Sequence, residues 1–216
     1  MKQLIAYFLL LISIPAAAQT FVDTQAKKRN VSPFHAIEAS SGIEVVIAQG
    51  QEIGLAVSAS SDEVDQRVIT QVVDGVLKIG VENDWKFWKM TKTWRIKVYV
   101  SYTSLTDLKA SSGASIKGQF EGNSLTCKQN SGGTIAISGH AEKLEIEANS
   151  GGIFKGYDFT ANFLQANVNS GGGAQVTVKK EITAKANSGG FVTYKGDAII
   201  RSIDVNSGGS VRKSTK

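Results

Sequence analysis

The feature that most constrains how this chain folds is the tetrapeptide Asn-Ser-Gly-Gly, which occurs five times in the C-terminal half. Successive copies start 19, 20, 18 and 19 residues apart. They begin at Asn130, Asn149, Asn169, Asn187 and Asn206. Degenerate copies at residues 111–114 and 40–43 extend the series toward the N-terminus. A catalytic loop is needed once, whereas a unit of this length that recurs at a nearly fixed period indicates stacked structural repeats.

The residues that precede each copy alternate between apolar and polar side chains, which is the period-two pattern of a half-buried strand. Counting back two, four and six residues from the Ser of each copy gives one inward column. Its members are Leu125, Cys127, Gln129, Leu144, Ile146, Ala148, Leu164, Ala166, Val168, Ile182, Ala184 and Ala186. The alternation resumes after the two glycines, so each repeat is a strand, a glycine corner and a second strand. Such a unit cannot bury its own apolar face, and stacking identical units covers that face.

The sequence therefore predicts an all-β fold, a parallel β-helix-like solenoid of about 19-residue coils with NSGG corners. Glycine supplies the positive φ angles of a sharp corner, and the five Asn are interpreted as structural corner residues because Asn hydrogen-bonds its own turn. Asn and Ser side chains are also expected to bond up and down the corner column. The Ser expected in that column are Ser112, Ser131, Ser150, Ser170, Ser188 and Ser207. An alternative is that this array of amides and hydroxyls binds a repetitive ligand such as a polysaccharide.

Residues 31–105 lack the repeat but remain strand-like, from FHAIEAS to TWRIKVYV. The dipeptide Asp74-Gly75 lies between two apolar runs and is a two-residue hairpin signal. An open solenoid end exposes strand edges that recruit other chains. We therefore expect this region to form a mixed or antiparallel β layer that caps the N-terminal end of the coils.

The N-terminus carries the pattern of a secretory signal peptide over residues 1–18, with a basic start, an apolar run and small residues before the cleavage site. The divisions expected after it are a flexible segment at 19–30, a single β domain at 31–210 and a basic tail at 211–216. Within the domain, residues 31–105 form the capping layer and residues 106–210 form the coils. We expect an exported protein, periplasmic or on the extracellular side, with no transmembrane segment after signal cleavage.

Composition argues against several classes of function. The net charge is +5, but Lys and Arg are scattered along the chain, so we expect no nucleic-acid partner. His35 and His140 sit in no metal-ligand spacing, and no Ser lies in a nucleophile motif, so we expect no metal, no cofactor and no catalytic residue. Cys127 is the single cysteine and cannot form an internal disulfide. Its inward position predicts a small buried hydrophobic residue.

A segment rich in Trp and Lys interrupts the strands of the capping layer. All three Trp of the chain lie between residues 84 and 94, interleaved with Lys. Aromatic faces beside cations suit stacking against sugar rings or binding of anionic glycans. The predicted ligand-binding residues are Trp85, Lys86, Trp88, Lys89, Lys92 and Trp94. The alternative is that the indole rings roof one open end of the apolar core.

Several stretches of the sequence resemble one family of exported proteins. They are residues 34–47 followed by Gln49-Gly50, the run from Asp74 to Ile79, residues 105–113 and the recurring Ser-Gly-Gly. Over roughly residues 30–210 the chain resembles the Bacteroidetes-type proteins described as putative auto-transporter adhesins with a head GIN domain. The resemblance implies an extracytoplasmic, β-helix-like protein with an adhesive role, and it supplies no site residues.

The function expected from these features is a non-enzymatic, exported, adhesin-like binding module that recognises a glycan or a cell-surface protein. Two alternatives remain open, and so does the oligomeric state. One alternative is a structural or assembly protein of the cell envelope whose stacked strands associate end to end. The other is a β-helix enzyme that degrades polysaccharide, for which outward acidic pairs such as Glu145 and Glu147 would supply the carboxylates.

Overall fold

The computed structural model describes residues 23–82 and 94–214, so the predicted signal peptide at 1–18 lies outside the described residues. Strands make up almost all of the regular structure in these ranges, together with one short helix, α1 (Asp62–Gln66). The strands in chain order are β1 (Lys27–Lys28), β2 (Ala36–Ala39), β3 (Glu44–Gln49), β4 (Gly54–Ala59), β5 (Val68–Val73), β6 (Val76–Val81), β7 (Ile96–Tyr102), β8 (Asp107–Ala110), β9 (Ser115–Gln129), β10 (Thr134–Ala148), β11 (Ile153–Val168), β12 (Gly173–Ala186), β13 (Phe191–Lys195), β14 (Ile199–Val205) and β15 (Ser210–Lys213). No helix within these ranges is long and apolar enough to cross a membrane.

Two stacks of strands run along the molecule. The first has the order β1-β4-β7-β3-β9-β10-β11-β12-β13-β15. The second has the order β5-β6-β2-β8-β9-β10-β11-β12-β14. The long strand β9 belongs to both, because Ser115 at its start pairs with Glu44 in β3 and Gln129 at its end pairs with Ala110 in β8. Pairing is parallel throughout the coils, which confirms the predicted parallel solenoid.

Seven corners connect the stacks within the described ranges, and each places a Ser and the following Gly at positive φ. The Ser φ angles lie between 47° and 63°, and those of the Gly lie between 69° and 75°. The N–H of this Gly donates to the carbonyl of the Ser in the next coil, at 3.0 to 3.2 Å. The donors are Gly42, Gly113, Gly132, Gly151, Gly171 and Gly189. This backbone ladder confirms the predicted column of corner serines and adds Ser41 to it.

The Asn of the corner bonds within its own coil. Oδ1 of Asn130 accepts a hydrogen bond from the N–H of Ser131 at 2.9 Å, and Asn169 and Asn187 repeat this bond with the Ser that follows them. The hydrogen bonds seen along the column join backbone groups. Backbone N–H and C=O groups thus form the ladder between the described corners, where side-chain bonds were expected.

One continuous hydrophobic core fills the space enclosed by the coils. Every member of the predicted inward column is at most 3% exposed. Cys127 is fully buried, as predicted, and this burial raises the pKa of its thiol well above the ordinary value. Gln129 is the polar member of the column, and its side-chain amide has no hydrogen-bond partner among the described residues.

The N-terminal end of the solenoid is covered by antiparallel strands, as predicted. β4 pairs with β7, β1 with β4, and β5 with β6. Asp74 and Gly75 form the β5–β6 turn at φ angles of 51° and 74°, which confirms the predicted hairpin. The parallel stack also extends upstream of residue 106, because β6 and β7 lie beside β2 and β3.

Both chain segments that were expected to lie outside the β domain contribute short strands to it. Within the N-terminal segment expected to be flexible, Lys27–Lys28 forms β1. β15 (Ser210–Lys213) extends from the last residue of the expected domain into the expected basic tail. The segments are ordered at these positions because each adds to the edge of the first stack.

Candidate functional site

The predicted Trp and Lys segment connects β6 to β7. Because β6 lies beside β2 and β7 beside β3, this connection takes the place of a corner at the N-terminal end of the corner column. Four residues connect β2 to β3, whereas residues 82–95 connect β6 to β7. Five of the six predicted ligand-binding residues lie outside the described residues: Trp85, Lys86, Trp88, Lys89 and Lys92. Their role stays a prediction, and the structure places the sixth, Trp94.

Trp94 lies just before β7 and is half-buried against the hydrophobic core. It lines a groove of 520 Å³ at the N-terminal end of the solenoid. The polar residues around the groove include Asp23, Glu44, Ser58, Ser60, Arg95 and Lys97. A partly covered indole and several polar groups therefore face one concave surface, which is the composition of a ligand-binding cleft.

The backbone next to Trp94 is held by the end of β4. The N–H of Ser60 donates to the carbonyl of Arg95 at 3.0 Å. The N–H of Arg95 in turn lies 3.4 Å from Oγ of Ser60. These contacts continue the antiparallel pairing of β4 with β7, whose last pair is Ala59 with Ile96. Strand pairing thus fixes the position from which the Trp94 side chain leaves the sheet.

Glu44 forms the charged side of the groove. It pairs in register with Lys97, and their charged groups lie 3.3 Å apart. Its second carboxylate oxygen lies 2.7 Å from Nζ of Lys117. The hydrogen bond from Lys117, followed by that from Lys97, holds the pKa of Glu44 below its ordinary value. Glu44 is therefore a carboxylate at neutral pH, with two cations beside it.

Asp23 and Tyr99 form a second polar pair in the same region. The Tyr99 hydroxyl donates to Oδ2 of Asp23 at 3.0 Å. The backbone N–H of Gln25 lowers the pKa of Asp23, and hydrogen bonds from Ser58 and Tyr99 add to this effect. Burial, followed by the hydrogen bond to Asp23, raises the pKa of Tyr99. At neutral pH the pair is a carboxylate acceptor and a neutral phenol.

A second groove of 580 Å³ adjoins the first, and the two share Asp23. Its lining is more apolar and includes Val46, Ala56 and Tyr99, with Lys28 at its side. Nζ of Lys97 lies 6.0 Å from the centroid of the Tyr99 ring, at the outer limit of a cation–π contact. The two grooves together give an elongated surface with an aromatic ring in each part.

A smaller groove of 290 Å³ lies on the outer face of the second stack, where Phe163 is half-buried. Nζ of Lys180 lies 5.2 Å from the centroid of the Phe163 ring. Glu145 lines this groove, whereas Glu147 pairs with Lys128 at 3.1 Å. The acidic pair that a glycan-cleaving enzyme would use is thus divided between a groove and an ion pair.

The groove at Trp94 can hold a polar ligand that carries many hydroxyl groups. A sugar ring stacks on an aromatic face through its apolar side. Carboxylates accept hydrogen bonds from its hydroxyl groups, and serine hydroxyls both donate and accept them. In residues 23–82 and 94–214, no three His, Cys, Asp or Glu side chains come together as metal ligands. Cys127 lies in the core and His140 on β10, away from the groove.

Sequence reasoning missed most residues of this groove. Asp23, Glu44, Ser58 and Lys97 come from separate segments and share no motif. Their meeting depends on the pairing of β7 with β3 on one side and β4 on the other. The one available signal was alternation, since Glu44, Lys97 and Tyr99 occupy the outward positions of their strands.

Comparison with known proteins gives a family and a fold. A family model described as "Putative auto-transporter adhesin, head GIN domain" matches residues 33–198. Among solved structures, the chain is similar to a putative adhesin from Bacteroides fragilis, with a TM-score of 0.68 and 15% sequence identity over 88% of this chain and 96% of that chain. It is also similar to a putative adhesin from Parabacteroides merdae, with a TM-score of 0.52 and 15% identity over 88% of this chain and 95% of that chain. No curated protein sequence matches the chain.

Proposed function

The chain belongs to the family described as putative auto-transporter adhesins with a head GIN domain, and from this premise we propose that it is a non-enzymatic, exported, adhesin-like binding module. Its ligand in this proposal is a glycan on a cell surface. The observation that carries the proposal is the groove in which Trp94 lies among Asp23, Glu44 and Lys97. The location is outside the cytoplasm, as the predicted signal peptide and the adhesin family both favour.

The groove supports a glycan better than a small apolar ligand for two reasons. Its polar groups come from both carboxylates and cations, so they match the mixed donors and acceptors of sugar hydroxyls. Its aromatic surface, the indole of Trp94, is only half-buried, so part of it remains exposed for a sugar ring to stack against. The groove is also open, as binding to one segment of a long polymer requires.

A second candidate function is assembly within the cell envelope. The observation that favours it is the exposed strand β14, which ends the second stack at the C-terminal end of the solenoid. Assembly and glycan binding use opposite ends of the molecule, so the two functions are compatible. The enzyme alternative finds less support, because the two carboxylates of the Trp94 groove are engaged, Glu44 with Lys97 and Lys117 and Asp23 with Tyr99.

A glycan-array screen with the purified protein tests the proposal. We expect binding to a defined group of glycans, and at least tenfold weaker binding, or about 1.4 kcal/mol, for Trp94→Ala. Because Trp94 also contacts the core, Arg95→Glu serves as a second variant at an exposed position of the same groove. Phe191→Ala is the matched control, since it removes a half-buried ring from the same outer face at the other end of the solenoid.

Either of two results would overturn the proposal. One is the absence of glycan binding by the unmodified protein, and the other is retention of binding by both groove variants at unchanged melting temperature. The sequence-based prediction for Trp85 and Trp88 is tested by the same assay with Ala substitutions. Loss of binding there, with Phe191→Ala unaffected, extends the site to these two residues.

A further inference from the structure

The two ends of the solenoid close differently. The antiparallel strands β4 and β5 and helix α1 cover the N-terminal end. At the C-terminal end, β14 and β15 each pair with a strand on one edge, and their other edges face no strand within the described part of the chain. β14 is exposed along its whole length.

Some exposed residues of β14 belong to the core column. Ile200 pairs in register with Ile182, and Ile203 pairs with Ala184. The two partners are fully buried, whereas Ile200 is 53% exposed and Ile203 is 39% exposed. Val205 at the end of the strand is 43% exposed. The inward column of apolar side chains therefore continues through the last coil and ends in solvent.

We propose that a second copy of this chain covers this end, with β14 of each copy pairing along β14 of the other in a two-fold dimer. A two-fold axis makes the two strands antiparallel, so the unpaired N–H and C=O groups of each edge face those of the other. It also makes the contact close on itself after two copies, unlike a head-to-tail contact, which continues into a filament.

The register of β14 makes the strand compatible with its own copy. Its pairing with β12 shifts between Ile182 and Thr183, and Arg201 is the extra residue at that shift. Arg201 lies on the outer face, where its guanidinium bonds Glu181. In a regular strand, side chains 200 and 203 point to opposite faces of the sheet, so pairing one with the other across two copies would set an inward side chain against an outward one. Because Arg201 is an extra residue, Ile200 and Ile203 both point inward and this conflict does not arise.

In this pairing Ile200 of each copy lies against Ile203 of the other. The four isoleucine side chains then cover the exposed ends of both cores. On the outer face, Arg201 of one copy lies diagonal to Asp204 of the other, within reach of an opposite-charge contact. The apolar contact and the charge contact thus favour the same arrangement of two copies.

The size of the end face sets the expected strength of the dimer. The seven residues of β14 span about 23 Å, and the two stacks with their side chains are about 20 Å across. Each copy would bury on the order of 460 Å², or about 900 Å² in total, at the small end of specific interfaces. We therefore expect a dimer that dissociates at micromolar concentration.

Sedimentation equilibrium of the purified protein across micromolar concentrations tests the proposal. We expect a monomer–dimer equilibrium, and at least a tenfold larger dissociation constant for Ile200→Asp, because the dimer would bury an unpaired carboxylate. Ile200 is exposed in the single copy, so this variant keeps the fold, which circular dichroism checks. Ile69→Asp is the matched control, since Ile69 is 38% exposed on β5 at the other end of the same stack.

Three outcomes overturn the proposal. They are a monomer at every concentration, a series of species larger than a dimer, and an assembly that Ile69→Asp weakens as much as Ile200→Asp does. If species larger than a dimer form and both Ile69→Asp and Ile200→Asp weaken them, the copies associate head to tail instead. None of these outcomes depends on whether the Trp94 groove binds a glycan.

A cross-linking experiment tests the register directly. In the proposed pairing the two copies of residue 202 are offset by one residue on neighbouring strands, which puts their Cα atoms about 6 Å apart, within disulfide range. Ser202→Cys should therefore give a disulfide-linked dimer under mild oxidation. Cys127 is fully buried and contributes no competing link. A dimer in solution that does not cross-link through residue 202 would contradict the β14 contact.

Discussion

The two glycines of each NSGG corner are required for different physical reasons. Gly132 has a φ of 73°, and a Cβ built there would meet nothing within 4 Å. A Cβ on Gly133 would meet the carbonyl oxygen of Ala110 in the preceding coil at 2.1 Å. The first glycine thus allows the left-handed backbone conformation, and the second allows two coils to approach. Ser131 takes the other left-handed position, at φ 48°, with its N–H bonded to Asn130.

This difference predicts unequal costs for two neighbouring Ala substitutions. We expect Gly132→Ala to lower the free energy of unfolding by about 1 kcal/mol, the cost of a left-handed Ala. Gly133→Ala should lower it by roughly 3 kcal/mol, because the backbones of two coils must move apart. Urea unfolding monitored by circular dichroism measures both values. Equal losses would contradict the separate roles.

The buried phenol of Tyr102 gives the protein a predictable response to alkaline pH. Tyr102 at the end of β7 is 1% exposed, and its hydroxyl donates to the carbonyl of Gln119 at 2.9 Å. Burial, with a smaller effect of Glu121, raises the pKa of Tyr102 to about 12. The folded state therefore holds the phenol proton more tightly than the unfolded chain, whose tyrosines have a pKa near 10. This contribution to stability is complete below about pH 10 and is lost as the pH rises through about 12.

Ultraviolet titration of tyrosinate measures this effect. We expect a late ionisation step near pH 12 that is missing in Tyr102→Phe, and a decrease in stability between about pH 10 and 12 that is larger in the unmodified protein than in this variant. If Tyr102 ionised together with exposed tyrosines while the fold was intact, the hydroxyl would not be buried as described.

At the scale of elements, the long strands β9 to β11 pack through aromatic rings that meet across a glycine. Gly139 of β10 pairs in register with Phe120 of β9 and with Phe159 of β11. Because Gly139 has no side chain, the two rings approach to 6.2 Å between centroids. Phe154 meets Phe159 edge to face, also at 6.2 Å. This cluster ties three successive coils together inside the core.

The cluster predicts a large effect of one substitution and a small effect of another. Phe159→Ala should lower the free energy of unfolding by roughly 3 to 5 kcal/mol, because the ring is fully buried and leaves a cavity. Phe163→Ala, in the same strand but half-buried on the outer face beside Lys180, should cost about 1 kcal/mol. Denaturant unfolding compares the two. A similar loss for both would mean that the ring cluster adds nothing beyond surface packing.

At the scale of the whole molecule, the candidate glycan groove and the exposed strand β14 lie at opposite ends of the solenoid. A two-fold dimer through β14 would therefore carry its two grooves at its two far ends. Two weak contacts to a repetitive glycan surface raise the overall affinity without any new contact, provided that the spacing allows both to bind. This arrangement fits an adhesin-like role better than one groove on a single copy.

The same geometry predicts a gradient of local stability. Each coil is stabilised mainly by its neighbours, and β14 and β15 have a coil on one side only within the described ranges. In hydrogen exchange with mass spectrometry at low concentration, we expect the amides of β14 and β15 to exchange fastest among the strands of the coils and those of β10 and β11 slowest. Protection of β14 should rise with protein concentration. Protection of β14 equal to that of β11 in the monomer would contradict an open end.

The sequence by itself determined the repeating part of the fold. The period of about 19 residues, the apolar alternation and the Asp74-Gly75 turn each reflect local geometry, so they could be read without knowing any contact. Alternation placed Cys127 in the core for the same reason, since a strand turns successive side chains to opposite faces. The family resemblance agreed with this reading and is confirmed over residues 33–198.

Tertiary structure alone decided the features that depend on which segments meet. The groove joins Asp23, Glu44, Ser58 and Trp94 through strand pairings between distant segments, and such pairings leave no periodic trace in the sequence. The assignment of the left-handed angle to Ser131, with Asn130 as acceptor, depends on the ladder between coils. The exposure of β14 likewise could not be predicted, because Val205 and Ile203 stand two and four residues before the corner Ser207, as buried residues of the other coils do before theirs. Whether such a strand is core or surface is set by the presence of a further coil above it.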